Sequence, residues 1–149
     1  MTQHGTLGPV ETAVGYVLKQ AAVALRSAMD DALRPLHLTV PQYACLELLG
    51  QRPGLSNAEL ARGVFVTRQS MNVVLRGLDE RGLVSRAATA PHGRELPTEL
   101  TAAGRSQLDA ASSAVRAVQA TMCAGLTPEQ QHALLATLDT CIRNLTDAS

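Results

Sequence analysis

Residues 55–87 read LSNAELARGVFVTRQSMNVVLRGLDERGLVSRA, and their punctuation decides the fold. Ser56 and Glu59 stand at capping-box spacing, where the hydroxyl accepts from the Glu59 amide and the carboxylate reaches back to the Ser56 amide. This predicts a helix to about Arg62, a turn at Gly63, and Val64 and Phe65 packed into the core. Thr67 is a second N-cap and opens a helix to Arg81, with Met71, Val74, Leu75 and Leu78 as its apolar stripe. Gly82 stands just past that helix, where a left-handed residue is favoured. Leu83 to Arg86 read as a strand and 87–93 as a loop. Residues 94–100 read as a returning strand that Pro97 demotes to an edge.

Outward from this centre the chain is helical. Val10, Val14, Val17, Leu18, Ala21, Leu25, Ala28 and Ala32 recur at helical spacing from Pro9 to Arg34, and Pro35 ends that helix. Thr39 caps a short helix with Pro41 in its first turn and Tyr43 to Leu49 as its body; Gly50 and Pro53-Gly54 stop it. A long helix runs from Thr101 to Ala124, with Leu108, Ala111, Val115, Val118 and Met122 in a coiled-coil-like seam. Thr127 caps the last helix, whose apolar face is Leu134, Leu135, Leu138, Ile142 and Leu145.

The expected fold is mostly α: a winged helix–turn–helix with a two-stranded β-hairpin wing, and terminal helices forming a dimerisation bundle. Residues 1–149 make one domain, with a DNA-binding lobe at 38–100 and a helical dimerisation lobe at 1–36 and 106–149. Low aromatic content, 2% of the 149 residues, suits helices better than a β-sandwich. The terminal helices carry more apolar face than one subunit buries, and the simplest partner is a second copy.

Composition excludes several classes. At 46% hydrophobic and 17% charged, the chain is not a disordered tail. No apolar run approaches the ~18 residues needed to cross a bilayer, and the N-terminus lacks the pattern of a secretory signal, so the expected location is cytoplasmic. Three cysteines without a CxxC argue against a disulfide framework or zinc knuckle. The four histidines, 4, 37, 92 and 132, show no metal-ligand spacing, so no metal or cofactor is expected. Nucleotide-binding, zinc-protease and hydrolase motifs are absent, and the chain does not read as an enzyme.

Charge is uneven although it sums to zero. From Arg62 to Arg94 six arginines face two acids, leaving that segment at +4 and the remainder at −4. A basic centre on an acidic helical support fits a protein that reads DNA. The helix from Thr67 exposes polar side chains at the end that enters a major groove. Arg68, Gln69 and Asn72 are the candidate base readers, by the pairing of Arg with guanine and of Gln or Asn with adenine. Thr67 and Ser70 suit phosphate, helped by the helix N-terminus. Arg94, on the wing, reaches toward the minor groove or phosphates.

The stretches LTVPQYACLELL (38–49), 55–87 and LTAAGR (100–105), in this order and at this length, resemble the MarR family of bacterial transcription regulators. The resemblance covers nearly the whole chain. It implies a homodimeric, sequence-specific regulator of double-stranded DNA with a pseudo-palindromic operator, most simply a repressor, which a small-molecule or oxidant signal often releases. It places Arg86 where the family keeps an arginine that braces the wing, and His37 where its effector cleft lies. The chain departs from the family at the wing tip, Ala90-Pro91-His92-Gly93-Arg94, which lacks the usual acid just before the arginine.

An effector cleft is expected where the two lobes join, with Tyr16, His37 and Tyr43 as polar-tipped lining for a small aromatic or phenolic ligand. Thiol sensing is the alternative regulation, with Cys45 the candidate. Cys45 reads as core, and no lysine or arginine lies within five residues of it. Peroxide-sensing relatives carry their cysteine in the first helix, which has none here. A winged-helix protein–protein module is the other alternative, disfavoured by the cationic face of the helix from Thr67.

Overall fold

The computed structural model describes residues 9–86 and 97–147. Its elements are α1 (Val14–Leu33), α2 (Val40–Gln51), α3 (Asn57–Val64), α4 (Arg68–Glu80), β1 (Val84–Arg86), β2 (Thr98–Leu100), α5 (Ala102–Met122) and α6 (Pro128–Asp147). Contacts divide the chain into two compact units, residues 1–118 and 119–149.

Three helices of the first unit start on side-chain caps. Thr39 and Ser56 make full capping boxes with Gln42 and Glu59, and Thr67 accepts from the Ser70 amide. Three elements end on the same device. The Leu83 and Gly82 amides donate back to the carbonyls of Leu78 and Asp79, both at 2.9 Å, around left-handed Gly82. The Val66 and Phe65 amides donate to Ala61 and Arg62 around left-handed Phe65, and those of Leu38 and His37 to Leu33 and Arg34 around left-handed His37. Gly82 adopts this backbone freely, whereas a residue with a Cβ gives up about 1–2 kcal/mol there.

This geometry overturns several expectations. Phe65 does not pack into the core; the left-handed turn points it outward and leaves it 93% exposed. Gly63 is not the turn but part of α3, where a Cβ would meet Leu48 Cδ1 at 2.5 Å. Gly50 does not stop α2 either: it lies within the helix, where a Cβ would meet Leu108 Cδ2 at 2.6 Å. Both glycines mark close helix packing. Pro35 sits in a 3-10 turn after α1, and the left-handed His37 makes the stop.

β1 pairs antiparallel with β2, Val84 opposite Leu100 and Arg86 opposite Thr98. β2 is an edge of this two-stranded sheet. Thr98 also donates to the Leu55 carbonyl at 3.0 Å, and its own carbonyl accepts from Gly54 at 3.1 Å. Pro97 lies just outside the strand. The loop and wing tip expected between the strands, with Arg94, lie outside the described residues.

One core holds the first unit together. Leu46 and Leu49 of α2, Leu60 of α3, and Met71, Leu75 and Leu78 of α4 are fully buried, and Leu33 of α1 joins them. Leu108, Ala111 and Val115 of α5 belong to the same cluster, so the first half of the expected seam faces this core. The apolar residues along the first part of α1 stay exposed, Val14 at 75%. In the second unit the Thr127–Gln130 box caps α6, which buries none of its residues; Leu145 is 78% exposed.

Candidate nucleic-acid interface

α4 is anchored by one row and exposed by another. Met71, Leu75 and Leu78, spaced four and three, are buried. The opposite side presents Arg68, Gln69, Ser70 and Asn72, all exposed. It also presents Val73, 65% exposed, and Arg76. Sequence reasoning passed over these two, although Val73 stands one helical turn beyond Gln69 and Arg76 one turn beyond Asn72.

The cap consumes part of the expected phosphate contact. Thr67 Oγ1 accepts from the Ser70 amide and donates to Ser70 Oγ, both at 3.0 Å. Ser70 keeps its own hydroxyl hydrogen for an outside acceptor. Asn72 is held by α3, its Oδ1 accepting from Asn57 Nδ2. The Glu59 carboxyl titrates below its ordinary range because it accepts from the Ser56 amide and hydroxyl, which keeps the α3 cap ionised.

A cleft of about 300 Å³ opens between α4 and the strands, lined by Asn57, Arg68, Asn72, Arg86 and Thr98. Two guanidinium groups and three polar side chains line it beside the apolar Ala58 and Leu75. Asn57 Oδ1 and Thr98 Oγ1 are buried without a partner among the described residues. Arg86 therefore shares a surface with the base-reading candidate Arg68.

Among the described residues the ion pairs are Arg26–Asp30, Arg34–Asp31 and Arg143–Asp139, all on the outer helices or the turn after α1. Arg62, Arg68, Arg76, Arg81 and Arg86 are exposed, and none pairs with a carboxylate among the described residues. Arg81 alone has a structural task. Its guanidinium donates to the carbonyls of His37 at 2.7 Å and Leu36 at 3.3 Å, and Gln107 donates to Leu36 at 2.8 Å. These bonds fix the end of α4 against the turn after α1 and against α5.

The three effector candidates are not gathered within one chain. Tyr16 and Leu33 stand near opposite ends of α1, which at 1.5 Å per residue separates them by about 26 Å. His37 is exposed in the turn that follows. Tyr43 is half-buried on α2 and donates to Glu47 Oε2 at 3.5 Å; Ser112 Oγ donates to the same oxygen at 2.9 Å. Burial, with the Glu47 charge second, holds the Tyr43 phenol above its ordinary pKa. A second cleft, of about 340 Å³, lies between α2 and α5 against Glu47, Gln51, Arg105, Asp109, Ser112 and Arg116. Neither cleft is lined by Tyr16, His37 or Tyr43. Tyr43 reaches the second through Glu47 and Ser112, which both line it.

Cys45 is fully buried. Burial pushes its thiol up to about 12, against the opposing pull of Arg86, which the fold brings near although the sequence does not. A protonated, inaccessible thiol is a poor nucleophile. Because the folded state holds this proton more tightly, its contribution to stability is full below about pH 9 and declines as pH rises toward 12. Urea midpoints should therefore fall between pH 8 and 10.5, and fall less in Cys45→Ala. Equal pH slopes in the two proteins would remove this role.

The MarR family model matches residues 37–95. Over 118 residues the chain is 48% identical to the HTH-type transcriptional repressor Rv2887 of Mycobacterium tuberculosis, covering 79% of this chain and 85% of the relative. A solved structure of that M. tuberculosis MarR family protein in complex with DNA superposes at a TM-score of 0.73 with 42% identity, over 86% of this chain and 96% of the other. One of its complexes with salicylic acid superposes at 0.70 with 45% identity, over 86% and 95%. The chain belongs to the MarR family of transcription regulators, and its fold is the family's winged helix.

Proposed function

We propose that the protein is a homodimeric, sequence-specific transcriptional repressor of double-stranded DNA, released by a small aromatic or phenolic acid. The observation that carries this is the row of exposed arginines between 62 and 86 without carboxylate partners among the described residues, set around a helix whose other face is core. Arg68, Gln69 and Asn72 read base edges in the major groove. Ser70, positioned by the Thr67 cap, and the cleft between Arg68 and Arg86 take backbone phosphates. Arg94 contributes from the wing. The similar M. tuberculosis repressor, solved with DNA and with salicylic acid, supports both halves of the reading. Regulators of this family act by binding rather than by catalysis, and no enzymatic activity is assigned.

A second copy covers the apolar faces that α1 and α6 each leave exposed, so residues 1–36 and 106–149 form the dimerisation lobe and 38–100 the reading lobe. Two-fold symmetry then calls for a pseudo-palindromic operator with half-sites about 10 base pairs apart. Tyr16, His37 and Tyr43 serve the effector across that dimer. A single chain cannot gather them, and the partner can supply the missing end of α1. In gel filtration the protein should elute at twice its 15.7 kDa mass. In mobility shifts it should bind the region upstream of its own gene, losing affinity with added salt and with salicylate. A monomer without affinity at low salt would overturn the reading.

A further inference from the structure

Phe65 is the chain's one phenylalanine, nearly fully exposed and on left-handed backbone at φ 64°. Both features work against the fold. Glycine fills the equivalent position after α4, at Gly82, and would close the same two turn hydrogen bonds here without strain. Val64 and Val66, on either side, already supply the turn's contacts with the core. Packing therefore gives no reason for the ring. Its place gives one: it precedes Thr67, the N-cap of α4, by two residues and stands in sequence between Arg62 and Arg68, both exposed.

We infer that Phe65 is a DNA contact, its ring packing on the apolar part of the duplex at the rim of the major groove, a thymine methyl or the deoxyribose beside it. This rests on the reading role of α4. A helix that enters the groove N-terminus first carries the preceding turn to the groove's edge. There the arginines meet phosphates, and an uncharged ring meets the thymine methyl or the sugar. The turn is bonded on both sides of Phe65, so the ring is presented from fixed backbone and loses little freedom on binding. The surrounding positive charge favours an anionic polymer over another copy of this chain.

The test uses the full chain and a duplex from upstream of its own gene. Phe65→Ala and Phe65→Gly should bind about tenfold more weakly at fixed salt, as expected for loss of a specific base contact. The salt slope should stay unchanged because no charge is lost. Thermal stability should not fall, and Phe65→Gly should gain about 2–4 °C. A duplex with deoxyuridine in place of thymine separates the two contacts. Wild type loses the same factor on it if the methyl is the partner, and keeps its affinity if the sugar is. Affinity within twofold of wild type in both variants overturns the inference, as does a change in their gel-filtration mass, which would assign the ring to a chain–chain contact. Wild type that fails to bind either duplex removes the reading role itself, which Arg68→Ala and Gln69→Ala probe independently of Phe65.

Discussion

Gly104→Ala is expected to destabilise the protein by about 3 kcal/mol or more, beyond the usual cost of one extra methyl in a core, because the obstacle is backbone. Gly104 lies in the first turn of α5, and an added Cβ would overlap the Leu83 carbonyl oxygen, far inside van der Waals contact distance. That carbonyl cannot move aside. It accepts from the Thr101 amide at 3.1 Å, while Thr101 Oγ1 donates to the Gly82 carbonyl at 2.6 Å and accepts from the Gly104 amide at 3.0 Å. The close approach thus joins the stop of α4, the start of β1 and the start of α5. Relieving the clash means breaking those bonds or withdrawing Leu108 and Ala111 from the core. Gly77→Ala is the control. It is also a helical glycine, but its Cβ would meet only the end of the Gln42 side chain, at 3.3 Å. It should be neutral or gain up to about 1 kcal/mol from helix propensity. Urea denaturation of both variants checks the contrast, and a Gly104→Ala midpoint equal to wild type would refute the packing described for α5.

The features legible in the sequence are those that local chemistry decides. Ser56–Glu59 and Thr67 cap helices because a side chain and an amide three residues apart need nothing else, and Gly82 stops α4 for an equally local reason. Glycine and phenylalanine misled where distant contacts decide. Gly50 and Gly63 read as breakers yet lie inside helices, because Leu108 and Leu48 press against them from other elements. Phe65 read as core by its chemistry, but its place in a left-handed turn directs it outward. Pro97 implied an edge strand, which β2 is, but nothing local foretold that Gly54 and Leu55 return to bridge it at Thr98. The reading face of α4 was legible through its polar residues and incomplete at Val73, whose chemistry suits a core while its helical position does not. The separation of Tyr16 from His37 was within reach of sequence reasoning, since a helix of this length spans nearly 30 Å by rise alone.

Arg68→Ala should weaken operator binding by about 5- to 150-fold, the 1–3 kcal/mol range of a base contact. Arg68 is the first residue of α4, exposed, in the cleft with Arg86, and without a carboxylate partner among the described residues. Nothing among the described residues relies on its charge, so thermal stability should shift by no more than about 0.5 kcal/mol. Loss of binding without loss of stability is therefore the signature of a recognition residue. The salt dependence then tells what it touches. A phosphate contact lowers the slope of log affinity against log salt by about one and weakens all sequences alike, whereas a guanine contact relaxes the preference at one operator position. Gln69→Ala provides the uncharged comparison, since it leaves the slope intact and relaxes one position. Asn72→Ala combines two losses, because Asn72 also accepts from Asn57 and its removal frees the amide that orients it. If Arg68→Ala and Gln69→Ala both bound within twofold of wild type at low salt, α4 would not be the reading helix. The positive segment would then be a solvated helix face, and the reading of the fold would stand without its function.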